Sequence, residues 1–131
     1  MNWKLAGRIF IFLWFFIGGI AHFVIPAQFL HIMPPAIPYP LAIVYISGGF
    51  ELLGAFGLWV ISLRNWAGYG LILLTICVTP ANIYMWMHPE LFPTIPEWAL
   101  LLRLPVQAML IWVIWHSTRR INNLPPSKFS A

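Results

Sequence analysis

Five polar side chains stand in otherwise apolar stretches of the chain: His22, Glu51, Asn82, Arg103 and Gln107. In hydrocarbon an ionisable side chain costs about 2.5 to 3.5 kcal/mol, so it is normally turned inward and paired. Glu51 falls about ten residues, roughly 15 Å, below the outer end of its segment, and Arg103 about five residues, roughly 8 Å, below the outer end of the last one. Opposite charge and overlapping depth predict an ion pair across the bundle, made directly or through Gln107, which shares a helical face with Arg103 at i+4. Chemically, Arg103 suits an anionic or carbonyl group, Gln107 supplies a donor and an acceptor, and Glu51 can exchange protons with a ligand.

The surroundings support an inward orientation. Ser47, Gly48, Gly54 and Ala55 lie three and four residues from Glu51 and are all small, which lets another helix come close. Pro80 and Pro105 each free a carbonyl one turn earlier, on Ile76 and Leu101, and such carbonyls need a partner or a wet cavity. Thr79 and Asn82 lie beside the first, Arg103 and Gln107 beside the second. His22, just below Gly18 and Gly19, falls at a similar level, so all five residues occupy the half of the membrane that opens outward. Two readings follow. The cluster either fixes helix register and packing, or it lines a pocket that binds a small molecule or carries protons.

For His22 a hydrogen-bonded structural role is expected rather than metal ligation. His31, His88 and His116 are loop or end residues without ligand spacing, so no metal site is expected. A haem held by His22 and His88 is only weakly suggested. Cys77 is the only cysteine. There is therefore no intramolecular disulfide and no CxxC pair, and the residue reads as a small buried apolar side chain.

The elements that must position these residues are membrane spans. The chain has 131 residues, 61% hydrophobic and only 8% charged, far from the soluble average of about 25% charged. Uncharged or singly charged apolar stretches cover Ile9 to Ile25, Leu41 to Leu63, Trp66 to Met87 and Trp98 to Trp115. Each has roughly the 17 to 25 residues needed to cross the bilayer core. Spans are accordingly expected at about residues 6–25, 41–63, 66–87 and 98–116, within a single domain over 1–116, followed by a polar, disordered cytoplasmic tail over 117–131.

The net charge of +4 marks topology rather than a nucleic-acid partner. Lys4 and Arg8 precede the first span, Arg64 joins the second and third, and Arg119, Arg120 and Lys128 follow the fourth; neither remaining loop carries Lys or Arg. This asymmetry predicts cytoplasmic N and C termini. Without an internal repeat and with short loops, the fold expected is an all-α integral membrane four-helix bundle, up-down-up-down. The first apolar stretch is too long for a signal-peptide core and lacks a small-x-small site after Ala21, so it is expected to stay as a span.

The first outer loop, Pro26 to Pro40, holds five prolines, which exclude a regular helix across Met33–Pro40. Its Phe29, Ile32, Met33, Ile37 and Tyr39 make it either a lid over the bundle or a connector anchored at headgroup depth. Trp3, Trp66, Trp86, Trp98 and Trp115 near span ends read as interface anchors.

The run Gly19-Ile20-Ala21-His22-Phe23 with Pro26, Phe29 and Pro34-Pro35 is followed by Ser47-Gly48-Gly49-Phe50-Glu51-Leu52-Leu53-Gly54-Ala55, Pro80-Ala81-Asn82-Ile83-Tyr84-Met85 and Arg103-Leu104-Pro105-Val106-Gln107. In order and spacing this resembles the DoxX-like membrane proteins over residues 5–116. The resemblance implies a multi-pass protein of the inner (plasma) membrane. That family includes subunits associated with sulfur or thiosulfate oxidation coupled to quinone, members linked to thiol and oxidative-stress systems, and animal relatives that act as assembly chaperones. The expected function is a small-molecule-binding, quinone-linked redox accessory subunit; the rival is a non-enzymatic assembly factor or accessory subunit in which the Glu–Arg pair is structural. Expected partners are the lipid bilayer, a small-molecule ligand, and a membrane protein or a second copy of the chain.

Overall fold

Proline marks several of the helix boundaries in the computed structural model, which describes residues 2–119. Helix α1 (Trp3–Val24) opens under Asn2, whose side chain accepts from the Lys4 N–H at 2.9 Å. It closes at Ile25, the residue before Pro26, where a following proline disfavours helical backbone. Pro26 then begins the short α2 (Pro26–Ile32), and Pro40 begins α3 (Pro40–Gly57) after Tyr39, which sits in left-handed backbone at φ 48°. Residues 33–39 carry no regular helix, as the proline density predicts.

The third span is two helices, α4 (Arg64–Cys77) and α5 (Thr79–Met87), with Pro80 in the first turn of α5 where its missing N–H is tolerated. A single 3-10 turn, Pro89–Leu91, leads to α6 (Glu97–Thr118), which carries Pro105 in its interior. Four helical stretches, Trp3–Val24, Pro40–Gly57, Arg64–Met87 and Glu97–Thr118, are long and apolar enough to cross a membrane. Among the described residues there is no strand.

Two boundaries differ from the hydropathy reading. The second span ends at Gly57 rather than Leu63, and residues 58–63 form i→i+3 turns such as Val60 N–H to Gly57 O and Leu63 N–H to Val60 O. Arg64 Nε donates to the Leu58 carbonyl at 2.8 Å and so caps the end of α3. Apolar side chains at interface depth satisfy the hydropathy pattern equally well in turns. At the C-terminus Ser117 and Thr118 belong to α6 and are buried, their hydroxyls turned back to the Ile114 carbonyl. The tail expected from residue 117 therefore starts no earlier than Arg119, and its residues 120–131 lie outside the described residues.

The core lies in two parts. Ile11, Phe15, Ala55, Leu58, Leu71, Leu110 and Ile114 join α1, α3, α4 and α6, while Met85, Phe92 and Leu100 form a smaller cluster with Ile32 and Ile95. Outward faces remain apolar, with Leu53 70% and Leu73 63% exposed. In water such faces would be an aggregation liability; facing acyl chains they are at rest.

Helices α1 and α3 make the most extensive contact in the bundle. They cross at Gly19 and Gly48. A Cβ on Gly48 would lie 2.6 Å from His22 Cβ and 3.2 Å from the Gly19 carbonyl oxygen, so only glycine permits this separation.

Candidate functional site

The close crossing of α1 and α3 brings His22 against Glu51. His22 Nδ1 lies 3.2 Å from Glu51 Oε2, and the two side chains retain only 11% and 12% of their accessible surface. The same nitrogen donates to the Gly18 carbonyl at 2.7 Å. A carbonyl can only accept, so Nδ1 carries the hydrogen. Glu51 Oε2 consequently has no hydrogen-bond partner of its own despite its burial. Gly18 makes the approach feasible, since a Cβ there would stand 3.3 Å from Oε2. The His22 ring also stacks on Phe29 of α2, with centroids 3.8 Å apart and planes 23° from parallel.

Facing this pair, α5 and α6 contribute a connected polar network. Asn82 Nδ2 donates to Gln107 Oε1 at 2.7 Å, Arg103 Nε donates to Asn82 Oδ1 at 3.2 Å, and Gln107 Nε2 donates to the Thr79 hydroxyl. Asn82 and Gln107 are buried; Arg103 is more open. Among the described residues, Nε makes the guanidinium's one hydrogen bond, leaving its two terminal nitrogens as donors.

The predicted Glu51–Arg103 ion pair does not form, and Gln107 does not bridge the two. Glu51 pairs with His22 across the α1–α3 crossing, and Arg103 turns to Asn82 one helix away. Depth and charge sign do not specify which face of each helix meets which neighbour; the glycines that close the α1–α3 crossing decide it in favour of His22. The small residues beside Glu51 act as expected, with Gly48 admitting His22 and Gly54 admitting Leu71.

All five polar residues singled out in the sequence line one cavity of about 610 Å³, to which every helix of the bundle contributes. Its walls are mainly apolar, from side chains such as Trp14, Phe15, Leu74 and Leu102, with Glu51 and His22 on one side and the Arg103 network on the other. This combination of an apolar cavity and a few convergent polar groups is the usual form of a small-molecule site. Thr75 also lines it, although sequence reasoning passed it over. Its spacing from Thr79 and Asn82, i, i+4 and i+7, places it on the same helical face and was available as a signal.

The proline-rich segment lines the cavity with Phe29, Ile32, Met33 and Ile37. It is fastened to the segment between α5 and α6, where His31 Nε2 lies 2.7 Å from the Leu91 carbonyl and its ring meets Phe92 edge-on at 4.7 Å. Cys77, the last residue of α4, is exposed and lines the cavity, correcting its reading as a buried packing residue. It also makes a native reporter. Phe29→Ala, which removes the ring over His22, is expected to raise the alkylation rate of Cys77 by a water-soluble maleimide several-fold. An unchanged rate would show that the loop does not limit access.

Among the described residues no three His, Cys, Asp or Glu side chains gather into a set that could hold a metal ion. No curated protein and no solved structure shows a significant match to the chain. Residues 11–118 match the model of a family described as a domain of unknown function, DUF8561. That match runs from the third turn of α1 to the end of α6 and takes in every residue of the polar cavity, so the chain belongs to the DUF8561 family.

Proposed function

We propose that the protein binds an amphipathic small molecule, of quinone type, in the polar cavity and serves as an accessory subunit of membrane redox chemistry. The observation that carries this reading is the gathering of His22, Glu51, Asn82, Arg103 and Gln107 around one mainly apolar cavity. The terminal nitrogens of Arg103 would hold a carbonyl or anionic oxygen, while Asn82, Gln107 and Thr79 fix the Arg103 side of the site. Glu51, with an unpartnered oxygen beside His22, would exchange a proton with the bound group. The apolar walls would take the remainder of the ligand.

The orientation that goes with this is up-down-up-down, with both termini cytoplasmic in a plasma (inner) membrane. Lys4, Arg8, Arg64 and Arg119 are joined at one end of the bundle by hydrogen bonds to Arg119 O, Ser117 O, Leu58 O and Asn65 O, which suits the positive-inside bias. The resemblance to the DoxX-like proteins agrees with a quinone but does not choose among that family's roles. An assembly factor that engages its partner through Phe29 and Ile32 is less well supported, since both side chains turn into the cavity.

Mass spectrometry of the small molecules that co-purify with the protein, run beside a quinone standard, tests the reading. Wild type is expected to carry one discrete species near stoichiometry, and Glu51→Gln, which keeps the shape but cannot ionise, to lose most of it. Bulk lipid alone in both samples would refute the proposal.

A further inference from the structure

At the end of the bundle away from the cavity, the chain collects base without acid. Lys4, Arg8, Arg64 and Arg119 meet there, and none of the chain's three acidic residues, Glu51, Glu90 and Glu97, is among them. The guanidinium of Arg119 lies over two rings at once, 4.2 Å from the Tyr69 centroid and 4.3 Å from that of Trp115. Such stacking holds the planar fork in place before any anion arrives. Four buried side-chain atoms lack a hydrogen-bond partner among the described residues, and three belong to this end: Arg8 Nε, Asn65 Oδ1 and Arg119 Nε.

Tyr69 and Trp115 also line a second cleft, about 360 Å³, between α4 and α6. The rest of its lining is Ile72, Ala108, Ile111, Trp112 and His116. An apolar furrow on the outer surface of a membrane bundle accepts an acyl chain. Two of the rings that line this one, Tyr69 and Trp115, carry the pre-positioned guanidinium of Arg119. Basic recesses between transmembrane helices at interface depth are suited to anionic lipid headgroups.

We propose that this cleft is a specific site for an anionic phospholipid, its phosphate held by Arg119 and one acyl chain lying between α4 and α6 along Ile72, Ala108 and Ile111. The two halves of the site select together. The charge rejects zwitterionic lipid of the same chain length, and the furrow rejects free phosphate, which has nothing to bury.

Native mass spectrometry of the full chain in detergent, titrated with dioleoyl phosphatidylglycerol or dioleoyl phosphatidylcholine, tests this. Wild type is expected to retain one phosphatidylglycerol preferentially, and millimolar inorganic phosphate should not displace it. Arg119→Gln should lower that retention about five-fold, the effect of one basic residue near a lipid surface. Arg119→Lys should restore little of it, because an ammonium cannot reproduce the stacked planar fork. Ala108→Trp, which fills the furrow and leaves the arginine in place, should abolish retention. Equal retention of the two lipids, full activity of Arg119→Lys as a binder, displacement by inorganic phosphate, or no lipid held at all would each overturn the proposal.

Discussion

Gly48→Ala is expected to destabilise the bundle by about 1 to 3 kcal/mol, the usual penalty for an extra methyl in a packed contact, and to drive His22 away from Glu51. The new Cβ would stand 2.6 Å from His22 Cβ, 3.0 Å from Phe23 Cε2 and 3.2 Å from Gly19 O. Two of those atoms are fixed to the α1 backbone, so no rotamer change relieves the clash and the helices must part. Thermal unfolding in detergent reads the stability, and Cys77 alkylation reads whether the cavity opens as they separate. The neighbouring Gly49→Ala is the internal control. Its Cβ meets nothing within 4 Å, so the substitution should be neutral or should stabilise by up to about 1 kcal/mol through helix propensity. Equal losses in the two variants would mean that the close crossing of α1 and α3 contributes nothing.

The second large effect separates packing from binding in the α5–α6 network. Gln107→Leu alone removes the acceptor of Asn82 Nδ2 and the donor to Thr79. Orphaning a buried polar group costs about 1 to 3 kcal/mol, whereas replacing both partners by apolar groups of similar shape is nearly neutral. The double variant Asn82→Leu/Gln107→Leu should therefore recover at least half the stability lost by the single one. It should nevertheless co-purify with little of the cavity's ligand, because Arg103 loses the Asn82 carbonyl that orients it. A double variant that folds well and keeps its ligand would return these residues to a purely structural role.

Much of the cluster was legible before any coordinates. A polar residue in a long apolar segment announces itself, and the small residues around Glu51 identified the face along which a neighbour comes close. Thr75 was missed because a threonine can satisfy its hydroxyl on its own helix, here on the Leu71 carbonyl at 2.7 Å, and so carries no obvious penalty in an apolar run. The turns after Gly57 look like a continuation of the span in the sequence for a related reason: hydropathy is indifferent to backbone conformation.

Four apolar helical segments, several proline boundaries and the identity of the polar residues within the segments follow from the amino-acid sequence alone. Each of these follows from local terms, namely transfer of side chains to hydrocarbon summed along one segment and backbone sterics at single residues. The pairing of those polar residues is settled by helix packing. Whether Glu51 meets Arg103 or His22 depends on how each helix is rotated and how closely two axes cross, and a difference of a few ångströms reverses the choice. That distance is set at Gly19 and Gly48 jointly, by two residues far apart in the chain whose missing side chains have meaning only once the helices are side by side.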